Sequence, residues 1–205
     1  MAAQRRGVYP GTFNPPTAAH VAIAEAARAQ RRLDRVDLAL SRRPINKEHV
    51  EIPTFEHRVE VLQALSRRLG WLGVVVTDAT LIVDIALGYD VVIMGADKWD
   101  QVNDVRYYAD DAARDEAVAR LPEIALAPRP HATDRPIPLG MELTVPEQYH
   151  QVSSTAARAG RLDWMVPEAQ EFDQRTGAWS DPARYRRGNG SSRPGGRAGG
   201  PASAG

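Results

Sequence analysis

With 205 residues, a formal net charge of zero, 43% hydrophobic residues and no cysteine, the chain has the length of one ordinary α/β domain and enough apolar side chains to bury a core. This composition excludes fibrous and wholly disordered classes, and the lack of cysteine excludes disulfides and thiolate-based metal or catalytic sites. No apolar run approaches the ~20 residues that span a bilayer, and MAAQRRG leads into a strand-like segment without the apolar core of a signal peptide, so a cytoplasmic protein with no membrane partner is expected.

Arg6 to Tyr9 reads as a short strand that stops at Pro10-Gly11. Good helix formers follow from Ala18 to Leu33, with Val21, Ile23, Ala24, Ala27 and Leu33 forming a broad apolar face. Val36 to Leu40 is a second strand, and Thr54 caps a helix running to Arg68 that carries Val59, Leu62 and Leu65. Leu72 to Val76 is too apolar and β-branched for an exposed edge. Ala79 to Leu87 reads as helix, Asp90 to Met94 as a buried strand, and Asp110-Asp111 as a helix surface. Glu123 to Ala127 and Glu142 to Val145 complete the strands. Ser154 to Gly160 and Pro167 to Thr176 are helical, with Pro167 in a first turn. The last twenty residues hold four arginines, seven glycines and no acid. Such a segment cannot bury enough apolar area to offset its ordering entropy. An ordered domain over 1–185 and a disordered tail over 186–205 are therefore expected. Without the tail's arginines the domain carries 22 basic and 26 acidic side chains, a net charge of −4, which argues against a nucleic-acid partner.

Continuous apolar strands separated by helices imply a parallel sheet covered on both faces. Right-handed crossovers make this a Rossmann-like, doubly wound α/β domain with a C-terminal helical segment. Its ligands bind beyond the carboxyl ends of the strands. The residues leaving those ends are Pro10 to Thr17, Ser41 to Lys47, Gly95 to Asp97 and the segment before Ser153. They should converge on one crevice.

Two blocks carry the chemistry. In YPGTFNPPTAAH, Tyr9 to His20, Gly11 lets the backbone turn sharply and approach a ligand. Pro15 and Pro16 keep the approach extended and delay the helix. Thr17 and His20 stand three apart at the helix start, so they share a face, and the free amides and dipole there favour an anion. Thr17 as an ordinary N-cap with a surface His20 is the plainer alternative. In VSSTAAR, Val152 to Arg158, Ser153 or Ser154 can cap a helix while the remaining hydroxyls, Thr155 included, meet phosphate oxygens. Arg158 lies one turn beyond Ser154 on the same face. Taken alone, this block also reads as a capping sequence with an exposed arginine. His49, His57, His131 and His150 show no metal-ligand spacing and read as solvated or packing residues.

The first block resembles the first signature of the nucleotidyltransferase superfamily, G-x-F-x-P followed by H-x-G-H or T-x-G-H. Gly11, Phe13, Pro15, Thr17 and His20 match, and Ala19 stands where glycine is usual. The second resembles its I-S-S-T-x-x-R signature through Ser153, Ser154, Thr155 and Arg158. MGADKWDQV, Met94 to Val102, RPINKEHVEIPTFEHRVEVLQAL and DWMVPEAQEFDQRTGAW resemble segments of nicotinate mononucleotide adenylyltransferases, so the likeness covers about residues 7 to 180. The opening with Thr17 is closer to the pantetheine phosphate adenylyltransferase signature.

The resemblance implies attack by a mononucleotide phosphate on the α-phosphorus of ATP, with release of pyrophosphate. It implies His20, Thr17, Lys47 and Arg158 as catalytic residues, and Gly11, Thr12, Phe13, Asn14, Gly95, Asp97, Ser153, Ser154 and Thr155 as ATP-binding. Asp97 would hold the ribose end. Lys47 as a solvated lysine, and Asp97 as a helix cap, are the alternatives. Trp99, Tyr107 and Tyr108 are the candidates to stack on an acceptor ring. Mg²⁺ is expected as a substrate-bound ion, held by ATP phosphates and water, with no metal site built by the protein. The partners are then ATP and a small phosphorylated acceptor, nicotinate or nicotinamide mononucleotide. A pantetheine phosphate-like acceptor, CTP as donor, and a regulatory nucleotide-binding protein without turnover are the alternatives. No long heptad fixes an oligomeric state, and a homo-oligomer fits as readily as a monomer.

Overall fold

The computed structural model describes residues 4–43, 51–128 and 137–190. Five strands, β1 (Arg6–Pro10), β2 (Arg35–Ser41), β3 (Leu72–Thr77), β4 (Val91–Gly95) and β5 (Glu123–Ala127), form one sheet in the order β3-β2-β1-β4-β5. Every pairing is parallel. The order reverses direction between β1 and β4, the place where a doubly wound sheet opens a crevice at its carboxyl edge. The expected Rossmann-like fold is the one observed.

The alternation of side chains along β4 shows how the sheet is covered. Val91 and Ile93 join one core with Ile23, Leu62, Leu65, Phe172 and Trp179. Val92 and Met94 join the other with Val83, Trp99, Ala117 and Leu126. The first core therefore collects α1 (Ala18–Gln30), α2 (Phe55–Leu69) and the C-terminal α7 (Pro167–Thr176) and α8 (Pro182–Gly190). The second collects α3 (Ile82–Ile85), α4 (Ala96–Val102) and α5 (Asp111–Ala119). Leu62 and Leu65 have no exposed surface, and burial of this kind contributes about 1.5–3 kcal/mol per side chain. Thr54 caps α2 as expected, accepting from the His57 amide at 3.3 Å, and Gly70 closes it at φ +62°.

Several elements differ from the sequence pattern. β3, read as too apolar for an exposed edge, is an edge strand of the sheet, with Val76 exposed near its carboxyl end. The first helix stops at Gln30 because Arg32 adopts a left-handed backbone (φ 53°), which turns Leu33 back onto the core. The helix expected over Ala79–Leu87 shrinks to α3, since the Thr77 hydroxyl accepts from the Ala79 amide (3.0 Å) and holds that end in a turn. Glu142–Val145, expected as a strand, makes one parallel bridge to Leu126 beside β5. Gly140 at φ +85° and Pro146 bracket it too closely for a ladder. The last described helix, α8, continues past 185 to Gly190, while 191–205 of the expected tail lie outside the described residues. Among the described residues no helix is long and apolar enough to cross a membrane.

The amino ends of the strands carry a closed charge network. Asp37 on β2 is fully buried and receives Arg35 Nε and Arg6 Nη2, each at 2.6 Å, and the Tyr89 hydroxyl at 3.1 Å. Burial pushes its carboxyl up, but the hydrogen bonds from Arg35 and Arg6 outweigh this and hold it below the ordinary carboxylate range. Gly73 on β3 makes the room: a Cβ there would stand 1.9 Å from Asp37 Oδ1.

Candidate active site

At the opposite end of the sheet, β1 runs into a turn over residues 11–17 before α1 begins. The Gly11 amide donates to the Ala39 carbonyl at 3.0 Å, tying the turn to β2. A Cβ on Gly11 would lie 2.8 Å from Phe13 Cζ. The glycine therefore makes room for the Phe13 ring, where the sequence suggested room for a ligand. Phe13 is left-handed (φ 46°) and 1% exposed. A non-glycine residue there costs of order 1–3 kcal/mol, offset by burying the ring edge-on against Tyr9 (5.7 Å) and His20 (5.1 Å).

Donors from distant segments take up the carbonyls of this turn. Arg58 Nη1 reaches Thr12 O at 2.9 Å, Ser154 Oγ reaches Pro15 O at 2.7 Å, and the Val166 amide reaches Pro16 O at 3.2 Å. Arg158 Nη1 donates to Asn14 O, and Trp179 Nε1 donates to Asn14 Oδ1 at 2.6 Å. The two signature blocks, far apart in the chain, thus pack directly on each other. The amides of Thr12, Phe13 and Asn14 have no acceptor among the described residues, which leaves them as anion donors.

His20 has a defined tautomer. Its Nδ1 lies 3.0 Å from the Thr17 amide, an obligatory donor, and 2.8 Å from Thr17 Oγ1. Nδ1 must therefore accept, and the ring proton of the neutral imidazole sits on Nε2. Thr17 is fully buried and holds the His20 ring in place. Ser153 caps α6 (Ser154–Arg158), accepting from the Ala156 amide at 3.1 Å, and Thr155 Oγ1 accepts from Arg158 Nη2 at 3.4 Å. A cleft opens between Ala19, His20, Pro128, Tyr149, His150 and Ser153. It holds residues of both signatures.

Among the described residues no carboxylate is hydrogen-bonded to Arg58 or Arg158, and Glu56 acts on Arg58 only through its field. Arg58 is 7% exposed, and burial pulls its guanidinium below its ordinary value. Its Nε has no hydrogen-bond partner among the described residues. Arg158 is exposed, and like Arg58 it donates to neutral carbonyls. Guanidinium groups placed this way are prepared for an anionic ligand.

The remaining candidates scatter. Gly95 caps α4 by its backbone, so Asp97 is not the cap; it stands exposed in the first turn of that helix, beside the β1/β4 opening. Trp99, expected against an acceptor ring, is 8% exposed in the second core, and the Tyr108 hydroxyl is spent on the Val102 carbonyl at 2.9 Å. Packing claims both. Tyr107 is half-buried in a 3-10 turn. Lys47, with His49 and His131, lies outside the described residues. Arg58, Tyr149, His150 and Trp179 were not singled out for the site by the sequence reading. Arg58 carried a legible signal, since it occupies the apolar stripe of α2 with Val61, Leu62 and Leu65.

The model of the cytidylyltransferase-like family matches residues 8–160. A probable nicotinate-nucleotide adenylyltransferase of Desulfotalea psychrophila is 39% identical over 62 residues, 30% of this chain and 29% of that relative. The match thus spans under a third of the relative's length. The solved structure of Plasmodium falciparum nicotinic acid mononucleotide adenylyltransferase complexed with APC superposes with a TM-score of 0.58 at 13% identity, covering 86% of this chain and 98% of that one. At that identity the likeness is one of fold.

Proposed function

Because the chain belongs to the cytidylyltransferase-like family, we propose that it is an adenylyltransferase that moves AMP from ATP to nicotinate or nicotinamide mononucleotide. The acceptor's phosphate oxygen attacks the α-phosphorus of ATP, the new P–O bond replaces the bond to the β-phosphate, and pyrophosphate leaves. The nucleophile is already an anion, so the protein acts by positioning and charge stabilisation. His20 donates from Nε2 to an α-phosphate oxygen, with Thr17 holding the ring. The turn amides, Arg158 and the hydroxyls of Ser153 and Thr155 receive the β- and γ-phosphates, Ser154 seats that segment through its bond to the Pro15 carbonyl, and Lys47 adds charge. Asp97 accepts from ribose hydroxyls, and Tyr107 is the aromatic best placed to meet the acceptor ring. Mg²⁺ enters as part of the ATP substrate.

The observation that carries this reading is the seating of Ser154 and Arg158 on the carbonyls beside His20. The choice of acceptor rests on the relatives, one of them matched over a short stretch. Trp99 in the core and Ala19 in the cleft favour, as a second reading, a nucleotide-binding protein without turnover. Pyrophosphate release from ATP or CTP, against nicotinate mononucleotide, nicotinamide mononucleotide and 4′-phosphopantetheine, separates them. Release with ATP and a pyridine mononucleotide is expected. Release only with phosphopantetheine or CTP moves the specificity, and ATP binding with no release supports the second reading.

A further inference from the structure

Resting on that reading, we infer that Trp179 is a positioning residue of the active site, acting through Asn14. The family match ends at residue 160, and Trp179 lies in the turn between α7 and α8, outside it. Yet its indole donates to Asn14 Oδ1 at 2.6 Å, with Trp179 3% and Asn14 8% exposed. An indole N–H can only donate, so this bond fixes the Asn14 amide: the oxygen faces Trp179 and the NH₂ donors face away from it.

The indole is itself held on several sides. The buried Asp173 carboxylate accepts from the amides of Trp179 (2.7 Å) and Ser180 (3.0 Å). Gly177 turns the chain at φ +73°, and Phe172 meets the indole ring edge-on at 5.8 Å. Farther along, the Tyr185 hydroxyl accepts from the Thr54 amide at 2.9 Å and lies 2.6 Å from His57 Nδ1, anchoring α8 to the start of α2. The C-terminal hairpin is thus clamped to the domain at two separate points. One fixes α2, and the other fixes the turn that precedes Thr17 and His20. Asn14 also receives Arg158 on its main-chain carbonyl, so one residue links the hairpin, the second signature and the first. A displacement of the order of 1 Å at such a residue is enough to cost up to a hundredfold in rate.

The test is a cycle of Trp179→Phe, Asn14→Ala and the double variant, with Tyr185→Phe as the control that loosens the hairpin without touching Asn14. Each is assayed for kcat and KM in pyrophosphate release, for ATP Kd by calorimetry and for Tm. Trp179→Phe should lower kcat about tenfold, more than it raises the KM for ATP, and the double variant should be no slower than Asn14→Ala alone. Tyr185→Phe should lower Tm with kcat kept within about twofold. Independent, multiplying losses of Trp179→Phe and Asn14→Ala overturn the inference. So does a kcat loss in Tyr185→Phe equal to that of Trp179→Phe at matched Tm. Should Trp179→Phe not fold, Asn14→Ala decides: unchanged kcat and Kd in that variant leave Trp179 nothing to act through. If the parent protein releases no pyrophosphate, the adenylyltransferase reading fails by itself. The inference then stands or falls on whether Trp179→Phe and Asn14→Ala weaken ATP binding by the same factor and without summing.

Discussion

The two ends of the sheet treat charge in opposite ways. At the amino ends, the buried Asp37 is answered by two arginines and a tyrosine, and Gly73 leaves out a side chain to admit them. At the carboxyl ends, Arg58 and Arg158 lean on neutral carbonyls, and three amides of the turn have no acceptor among the described residues. A network that closes on itself has its work done within the fold. A set of donors left over points to a ligand that brings the missing negative charge, which a triphosphate does. The difference separates scaffold from site without reference to any relative.

The largest expected effect falls on the open end. His20→Ala should keep the fold and lower turnover at least ~100-fold, the scale of losing one transition-state donor; steady-state pyrophosphate release checks it, and near-normal turnover in a folded variant breaks the assignment. The closed end should respond in stability alone. Asp37→Asn should cost about 2–3 kcal/mol at neutral pH through loss of charge-assisted hydrogen bonds, with KM for ATP unchanged. Because the folded protein holds Asp37 below its unfolded value, this contribution is complete above the ordinary carboxylate range and disappears as pH falls through the folded value. Urea denaturation of parent and variant should therefore differ at pH 7 and draw together as pH falls below the ordinary carboxylate range. A constant gap across that range contradicts the ionised, paired Asp37. The smallest effect belongs to Arg158→Ala, which should weaken ATP binding about tenfold, the value of roughly one charge-assisted contact on an exposed residue. Calorimetry with ATP measures it, and an unchanged Kd removes Arg158 from the phosphate site.

Much of this architecture was legible because the strands are continuous apolar runs and the first signature stands where β1 gives way to α1. The parallel sheet and the Thr54 cap follow from local pattern alone, while the cap left open between Ser153 and Ser154 falls to Ser153. What was not legible depends on partners remote in the chain. Gly11 looked like a ligand approach, and only the folded position of the Phe13 ring shows what fills its missing Cβ. Trp99 carried an aromatic signal that could not distinguish a ring-stacking face from a core, and the second core claims it. Trp179 closes the DWMVPEAQEFDQRTGAW segment, but nothing local marks its role, since its meaning comes from a hydrogen bond to a residue 165 positions earlier. Glu142–Val145 had the composition of a strand, but flanking Gly140 and Pro146 shortened it to a bridge.

Adenylyl transfer at this site requires both signatures to hold one triphosphate. A crystal structure with a non-hydrolysable ATP analogue tests this directly. The phosphates should lie within hydrogen-bond reach of His20 Nε2, the turn amides and the Arg158 guanidinium together. An analogue seated away from the turn, with His20 and Arg158 touching different molecules or none, contradicts it.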